Sequence, residues 1–380
     1  MRVVQEGRLP IKIWAREVEE GAMQQAINLS NLPFAFSHIA LMPDVHQGYG
    51  MPIGGILATQ DKMIIPNAVG VDIGCGIVAL KTDRTEISKR EIETTLEKAK
   101  KSIPVGFKHN KKPQEWQGFR SAPKIGIIQQ ELQSARHQLS SLGGGNHFCS
   151  IEQGSDGYIW LMVHSGSRNI GYKVASHYNN LAKKYNQANK TVPKGYDLAP
   201  LSLETPEGRE YFEAMNYCLD FARANRELLA EKLFNAYSRV TGGQVQQRID
   251  CHHNYASKEN HFGEEVVIHR KGAINARKNQ LGVIPGSMGT SSYIVEGLGN
   301  PESFCSCSHG AGRVISRKEA NRVITKEKAN KAMQGIVFSG WKGDLSEAPM
   351  AYKDIEEVIN IQKDLIKPLT RLSPLGVMKG

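Results

Sequence analysis

A chain of 380 residues, 40% hydrophobic and 23% charged, is long enough to bury a sizeable core as one large or two ordinary domains. No apolar run approaches the roughly 20 residues that span a bilayer, and the opening MRVVQEGRLPIKIW has no apolar signal core, so a cytoplasmic protein is expected. Lys and Arg number 48 against 38 Asp and Glu, a net charge of +10 that serves either solubility alone or a polyanionic partner.

In chain order, the apolar run 56–58 reads as a strand, and so does 77–80. A helix begins after Ser88, which with Glu91 makes a capping-box pair; Ile92, Leu96, Ala99 and Ile103 follow at helical spacing and Pro104 ends it. The run 158–163 reads as a strand. A second helix opens at Thr205-Pro206-Glu207, with Thr as cap and Pro at the first position, and continues through Phe212, Met215, Leu219, Ala222, Leu229 and Leu233. The run 265–268 reads as another strand. Strands and helices interleave with no domain boundary, which predicts a single α/β (α+β) domain over 1–380.

The 37 glycines cluster at 48–55, 70–76, 143–145, 166–171, 282–289 and 297–312. Each cluster holds polar residues suited to metals or phosphates, and glycine lets backbone N–H groups approach an anion closely. There is no G-x-x-x-x-G-K-[ST] string and no lysine-DG motif; Trp341-Lys342-Gly343-Asp344 has similar letters in another order. Asp72 and Cys75 lie across one glycine turn. His147, His164 and His253 each sit beside a glycine or polar turn. One carboxylate, one thiolate and three imidazoles suffice for two divalent ions with the sulfur bridging, and ligand softness puts Zn²⁺ first. Taken singly, each histidine has a structural reading as well. Cys305-x-Cys307-x-His309 would face one side of a strand, as a second metal cluster or as packing cysteines.

Basic residues are concentrated. From 313 to 331 there are seven against two acidic ones, and a second stretch runs through Lys100, Lys101, Lys108, Lys111 and Lys112. Either stretch suits phosphates.

The strings PDVHQGYG (43–50), NAVGVDIGCG (67–76), LGGGNHF (142–148), VHSGSRNIG (163–171), HHNYASKE (252–259), HRKGAINA (269–276), IPGSMGTSSY (284–293) and SHGAGRVISR (308–317) together resemble the RtcB family of RNA ligases. The resemblance runs from Pro10 to the closing LSPLGVMKG. It implies a single compact domain with mixed sheets and flanking helices, and Mn²⁺ in place of the Zn²⁺ that softness suggests. By motif match, Asp72, Cys75 and His147 would hold one ion, and Cys75, His164 and His253 the other. His309 would be the nucleophile that takes GMP from GTP, which sets the Cys-x-Cys-x-His cluster aside as a metal site. Asn146 would hold a nucleotide phosphate. Ser287 and Lys379 would touch guanine, and Tyr352 would stack near it. Arg168, Lys271, Arg313 and Arg317 would bind phosphates of GTP or RNA. Asp44 and His46 would give supporting contacts.

The implied reaction joins an RNA 3′-phosphate or 2′,3′-cyclic phosphate end to a 5′-hydroxyl end, in RNA repair or tRNA splicing, with an archease-type activator as a further partner. Two features depart from the family. Ser150 stands where a guanine-contacting Glu is usual, with Glu152 on the same strand face. The chain is also short for the family. Two other readings keep the same scaffold: a metal-dependent hydrolase of cyclic phosphate ends, which needs neither GTP nor His309, and a non-catalytic RNA-binding protein, which does not need Cys75.

Overall fold

The computed structural model describes residues 1–341 and 343–380; Lys342 of the Trp-Lys-Gly-Asp string lies outside them. The helix expected after Ser88 spans Lys89–Ser102. Ser88 Oγ accepts from Glu91 N, and the Glu91 carboxylate accepts from Ser88 N at 2.7 Å. Ile92, Leu96 and Ala99 form its buried stripe. The second helix runs from Pro206 to Thr241, 36 residues, capped by Thr205 and stopped at Gly242, whose φ is +73°. The apolar runs fall in the strands Met51–Thr59, Gly76–Thr82, Ile159–Ser165 and Glu264–Lys271, except that Tyr158 comes before the third of these.

Two large sheets form one domain. The six-stranded sheet has the order Arg2–Val4, Ile11–Ile13, Ala35–Tyr49, Met51–Thr59, Glu264–Lys271, Asn254–His261. The second has the path Val245–His252, Gly76–Thr82, Ile159–Ser165, Phe148–Gly154, Ile366–Lys379, Ser292–Gly297, Leu281–Ile284, with Val337–Phe338 added in parallel to Ile366–Lys379. Both sheets are mixed: the Ile11–Ile13 and Ala35–Tyr49 pair is parallel and most others are antiparallel.

Strand alternation explains the layering. Ile77, Ala79, Trp160 and Met162 point to one face of the second sheet and pack with Ala40, Met42, Ile56 and Ile268 of the first, so the sheets share a core. Val78, Leu80, Leu161 and Val163 point to the other face, where Ile92, Leu96, Leu229 and Leu233 of the two helices cover them. The helix Glu20–Ser30 covers the outer face of the six-stranded sheet through Ala22, Ala26 and Leu29.

One strand expectation needs correction. Cys305 and Cys307 do not share a strand face. The strand is only Ser306–Ser308, and Phe304 and Cys305 before it are left-handed, each with φ +50°. Cys307 is buried in the core between the sheets, which is the packing reading, while Cys305 is half-buried on another side.

Candidate active site

Strand register gathers the expected ligands. Gly76 is opposite both Ser165 and His252, and His164 is opposite both Ile77 and Phe148. The segments bearing Cys75, His147, His164 and His253 therefore leave the sheet at one edge. The turn carrying Asp72 and Cys75 is stitched to the 253–254 segment: His253 N donates to Cys75 O at 2.8 Å, Gly74 N to Asn254 O at 2.8 Å, and Asn254 Nδ2 to Asp72 O at 3.1 Å.

Cys75 Sγ lies 3.2 Å from His164 Nε2 and 3.4 Å from His147 Nε2, and Asp72 Oδ2 lies 3.0 Å from His147 Nε2. On the far side of each ring, Nδ1 donates to a backbone carbonyl: His147 to Leu142 O and His164 to Asn146 O, both at 3.0 Å. Those bonds fix the tautomer that turns an Nε2 lone pair toward the sulfur. Ligands about 2.1 and 2.3 Å from a common ion stand roughly 3.6 Å apart in tetrahedral geometry, so the donor set fits a metal. Among the described residues, Cys75, His147 and His164 form a group whose ligand atoms all lie within 4.8 Å of one another. His253 continues the row, its ring 5.2 Å from that of His164 and 4.7 Å from that of His309. His252 turns away and packs edge-on against Tyr255.

The charges suit a cation. Burial holds the imidazoles of His164 and His253 well below the usual histidine range, helped by neighbouring imidazoles, so both are neutral donors. Burial and the adjacent Asp72 push the Cys75 thiol well up, and a divalent ion is the partner that favours its thiolate.

His309 is partly exposed and faces the same cavity. Its Nδ1 lies 2.7 Å from Asp44 Oδ2, which also accepts from the backbone N–H groups of His309 at 3.0 Å and Gly310 at 3.2 Å. Asp44 is fully buried. Burial alone would raise its pKa, but His309 outweighs it and the carboxyl is held below its ordinary value. The imidazole thus presents Nε2 as its free nitrogen. Gly312 makes the approach possible: its φ is +76°, and a Cβ there would lie 2.3 Å from Asp44 O. His46 lines the cavity as well; its Nδ1 donates to Asp44 O at 2.9 Å, and burial lowers its pKa to about 4.

A cavity of about 400 Å³ joins these groups to Asn146, Lys271, Ser287, Arg313, Arg317, Tyr352 and Lys379. Lys271 Nζ donates to Tyr49 O at 2.6 Å and Asn67 O at 3.0 Å, and burial lowers its pKa to about 7. Arg317 and Arg313 both pair with Glu347, at 2.9 and 3.5 Å, and Tyr352 OH donates to the same carboxylate. The Arg313 guanidinium lies 5.0 Å from the centre of the Tyr352 ring. Ser287 Oγ lies 2.9 Å from Thr290 Oγ1, and Lys379 Nζ is 3.6 Å from Asp344.

Arg168 is not in the cavity lining. It donates to Ser141 Oγ and Gly106 O behind the 142–145 turn. Ser150 and Glu152 do share a face, as expected. They are buried, Ser150 Oγ donates to Glu152 at 2.8 Å, burial raises the Glu152 pKa to about 8, and neither lines the cavity.

Three residues that matter here went unread in the sequence. Glu347 organises two arginines and a tyrosine. Asn225 and Arg226, fully buried in mid-helix, hold the site from behind. Asn225 Nδ2 donates to Ser141 O, Ser165 Oγ and Gly166 O. Arg226 pairs with Asp250 at 2.7 Å and donates to Gly74 O and Ser165 O. A signal existed: Arg226 falls on the helical stripe of Cys218, Ala222 and Leu229, where a charge demands a buried partner.

The family described as tRNA-splicing ligase RtcB matches residues 25–126 and 114–380. The RNA-splicing ligase RtcB of Escherichia coli (strain K12) is 38% identical over 401 residues, covering 98% of this chain and 97% of that protein. The RNA-splicing ligase RtcB of Mycobacterium tuberculosis (strain ATCC 25618 / H37Rv) is 32% identical over 434 residues, with 94% and 100% covered. The tRNA-splicing ligase RtcB of Thermococcus kodakarensis is 29% identical over 458 residues, with 98% and 95% covered. A chain of 380 residues cannot fill 458 positions, so the last of these carries segments that this chain lacks. No helix among the described residues is long and apolar enough to cross a membrane.

Proposed function

Because this chain belongs to the RtcB family of RNA ligases, we propose that it joins an RNA 3′-phosphate or 2′,3′-cyclic phosphate end to a 5′-hydroxyl end, using GTP and two Mn²⁺ ions, in RNA repair or tRNA splicing in the cytoplasm. The observation that carries this reading is His309. A buried carboxylate holds its Nδ1, its Nε2 is free, and its ring lies 4.7 Å from that of a neutral histidine in the ligand row.

The His309 Nε2 lone pair attacks the α-phosphorus of GTP. An N–P bond forms, the bond from the α-phosphorus to the bridging oxygen breaks, and pyrophosphate leaves. Asp44 keeps its hydrogen bond to Nδ1–H and offsets the positive charge on the substituted ring. An oxygen of the RNA 3′-phosphate then displaces His309 from the guanylyl phosphorus, giving an RNA end capped by a pyrophosphate-linked guanosine. Attack of the 5′-hydroxyl on the RNA-side phosphorus forms the phosphodiester and releases GMP. Asp72, Cys75 and His147 would hold one Mn²⁺, and Cys75, His164 and His253 the other, supplying Lewis-acid charge against phosphate oxygens.

Arg313 and Arg317 exchange part of their pairing with Glu347 for phosphate, and Lys271 takes up a full proton as an anion nears. Asn146 holds a nucleotide phosphate. Ser287, Tyr352 and Lys379 receive the base, since Ser150 turns its hydroxyl to Glu152 instead of the cavity. Arg168 acts on phosphates indirectly, by bracing the 142–145 turn.

Incubation with GTP labelled at the α-phosphate and Mn²⁺ should label the protein through an acid-labile, base-stable bond, as a histidine phosphoramidate does. His309→Ala should take no label and join no RNA. Label surviving that substitution would sink the proposal. Opening of cyclic phosphate ends by His309→Ala, with no joining by the unaltered protein, would assign the chain to end hydrolysis instead.

A further inference from the structure

The segment 104–114 runs beside the cavity wall and is tied to residues 136–143 along its length. Leu142 N donates to Pro104 O at 2.9 Å, Gly106 N to Gly143 O at 2.7 Å, Asn110 N to His137 O at 3.0 Å and Gln114 N to Arg136 O at 2.9 Å. Side chains reinforce the ladder. Asn110 Nδ2 donates to Leu139 O at 2.7 Å, His137 Nδ1 to Asn110 O at 2.9 Å, and Arg168 Nη2 to Gly106 O at 2.9 Å. Between the anchors at Gly106 and Asn110 the chain turns tightly, with Lys108 N donating to Val105 O at 3.2 Å and Gly106 at φ +62°. Phe107 stands at the tip of that turn, 97% exposed.

Single exposed apolar residues are common on protein surfaces. This one differs in three ways. A full aromatic side chain is presented to water by a turn held at both ends, not by a frayed segment. Its neighbour Gly106 bonds to Gly143, at the start of the 143–145 glycine turn, and Gly145 of that turn and Asn146 line the cavity. Finally, the residues around it carry one sign of charge. From Lys98 to Gln114 there are six lysines (Lys98, Lys100, Lys101, Lys108, Lys111, Lys112) and no carboxylate. All six are exposed, and none enters an ion pair among the described residues. A rigid aromatic face among solvated lysines next to a phosphate-handling cavity matches how proteins hold single-stranded nucleic acid: bases stack on the ring and the backbone follows the charge.

We propose that the 105–108 turn is a stacking platform for single-stranded RNA close to the reacting end, with Phe107 taking a base and the flanking lysines the phosphates. The proposal rests on the RNA-ligase reading, and it adds that the substrate arrives unpaired on the side of the cavity bounded by the 143–145 turn. A base stacked on Phe107 removes the ring from water and fixes the strand relative to the cavity mouth. A stiff duplex keeps its bases covered and cannot use the ring.

The test measures binding of a fluorescent single-stranded RNA bearing a 3′-phosphate, and of the same RNA annealed to its complement, without GTP. Phe107→Ala should weaken single-strand binding roughly 5- to 150-fold and leave the duplex unchanged. Phe107→Trp should bind like the unaltered protein. Replacing Lys108, Lys111 and Lys112 together by Ala should make the slope of log affinity against log salt shallower by about 2. Unchanged single-strand affinity in Phe107→Ala would overturn the proposal and leave the tip to a protein partner. Equal losses for Phe107→Ala and Phe107→Trp would overturn it too. The variants should take the α-phosphate label from GTP as the unaltered protein does. If the unaltered protein takes none, the ligase reading fails while the binding comparison still stands.

Discussion

Asp44 Oδ2 accepts from one imidazole and two backbone N–H groups, and Asp44 Oδ1 is buried without a partner. An amide oxygen could take the place of Oδ2, but it carries no negative charge to hold the ring, and its NH2 would be buried without an acceptor where Oδ1 stands. Asp44→Asn should therefore loosen the ring of His309 and slow self-labelling by GTP by about 100-fold or more; an unchanged initial rate would remove Asp44 from the positioning of the nucleophile. Lys271 offers a separate check through pH. Its pKa falls from 10.5 to about 7 in the folded protein. Between those values the unfolded chain binds a proton that the native state lacks, so this residue makes stability rise with pH across the window. Below pH 7 both states hold the proton and the cost of burying the charge is felt in full. The melting temperature of the unaltered protein, minus that of Lys271→Met, should accordingly grow from pH 7 to pH 10. A flat difference would mean that Lys271 is charged throughout. Single residues were also where reading the sequence succeeded and failed most clearly. Asp72, Cys75, His147, His164 and His253 stood out because reactive side chains in glycine turns have few structural uses, His309 was assigned through the family resemblance alone, and the structure gathers all six around one cavity. The string CSCSH misled because period-two spacing means a shared face only in extended backbone, and Cys305 is left-handed.

Helix boundaries were easy to read where local chemistry decides them. Ser88 with Glu91, and Thr205 with Pro206, satisfy N–H groups that any helix start must satisfy, whatever the rest of the chain does. Pairing partners were not readable. Nothing near Phe148 says that its strand will lie beside Ile366–Lys379, because that choice depends on filling a core shared by distant segments. The long helix Pro206–Thr241 shows a second kind of hidden information. Its caps announce it, but its work is done mid-span, where Arg226 reaches Gly74 and Ser165 and so sets the turn that carries Asp72 and Cys75 against the strand that carries His164. Arg226→Met should leave the half-buried Asp250 to Arg223 alone, at 3.4 Å, and take the donor away from Gly74 O and Ser165 O, destabilising the protein by about 1 to 3 kcal/mol. It should also weaken Mn²⁺ binding by about 10- to 100-fold through the supporting contacts it removes. Calorimetric titration of the folded variant separates the two effects; unaltered Mn²⁺ affinity would show that the helix supports the fold alone.

The proposed ligands come from four separated stretches of chain, around residues 72–75, 147, 164 and 253. Two ions sharing Cys75 would tie these stretches together at the edge of the second sheet, where His253 leads on into the first. Mn²⁺ at about 100 times its dissociation constant should stabilise the native state by about 2.7 kcal/mol, and so raise the melting temperature by several degrees. Cys75→Ala should abolish that rise, and a rise that persists would place the ion elsewhere. The central seat of Ile366–Lys379 in the second sheet has a further consequence, for aggregation. It pairs with Phe148–Gly154 on one side and Ser292–Gly297 on the other, and it brings Lys379 to the cavity. Without residues 366–379 in place, both of those neighbours have a bare edge, and the backbone bond from Gly380 N to His147 O cannot form. Displacing this single strand therefore opens two edges in the middle of the sheet at once, and a molecule in that state is prone to clump with its own copies before it unfolds fully.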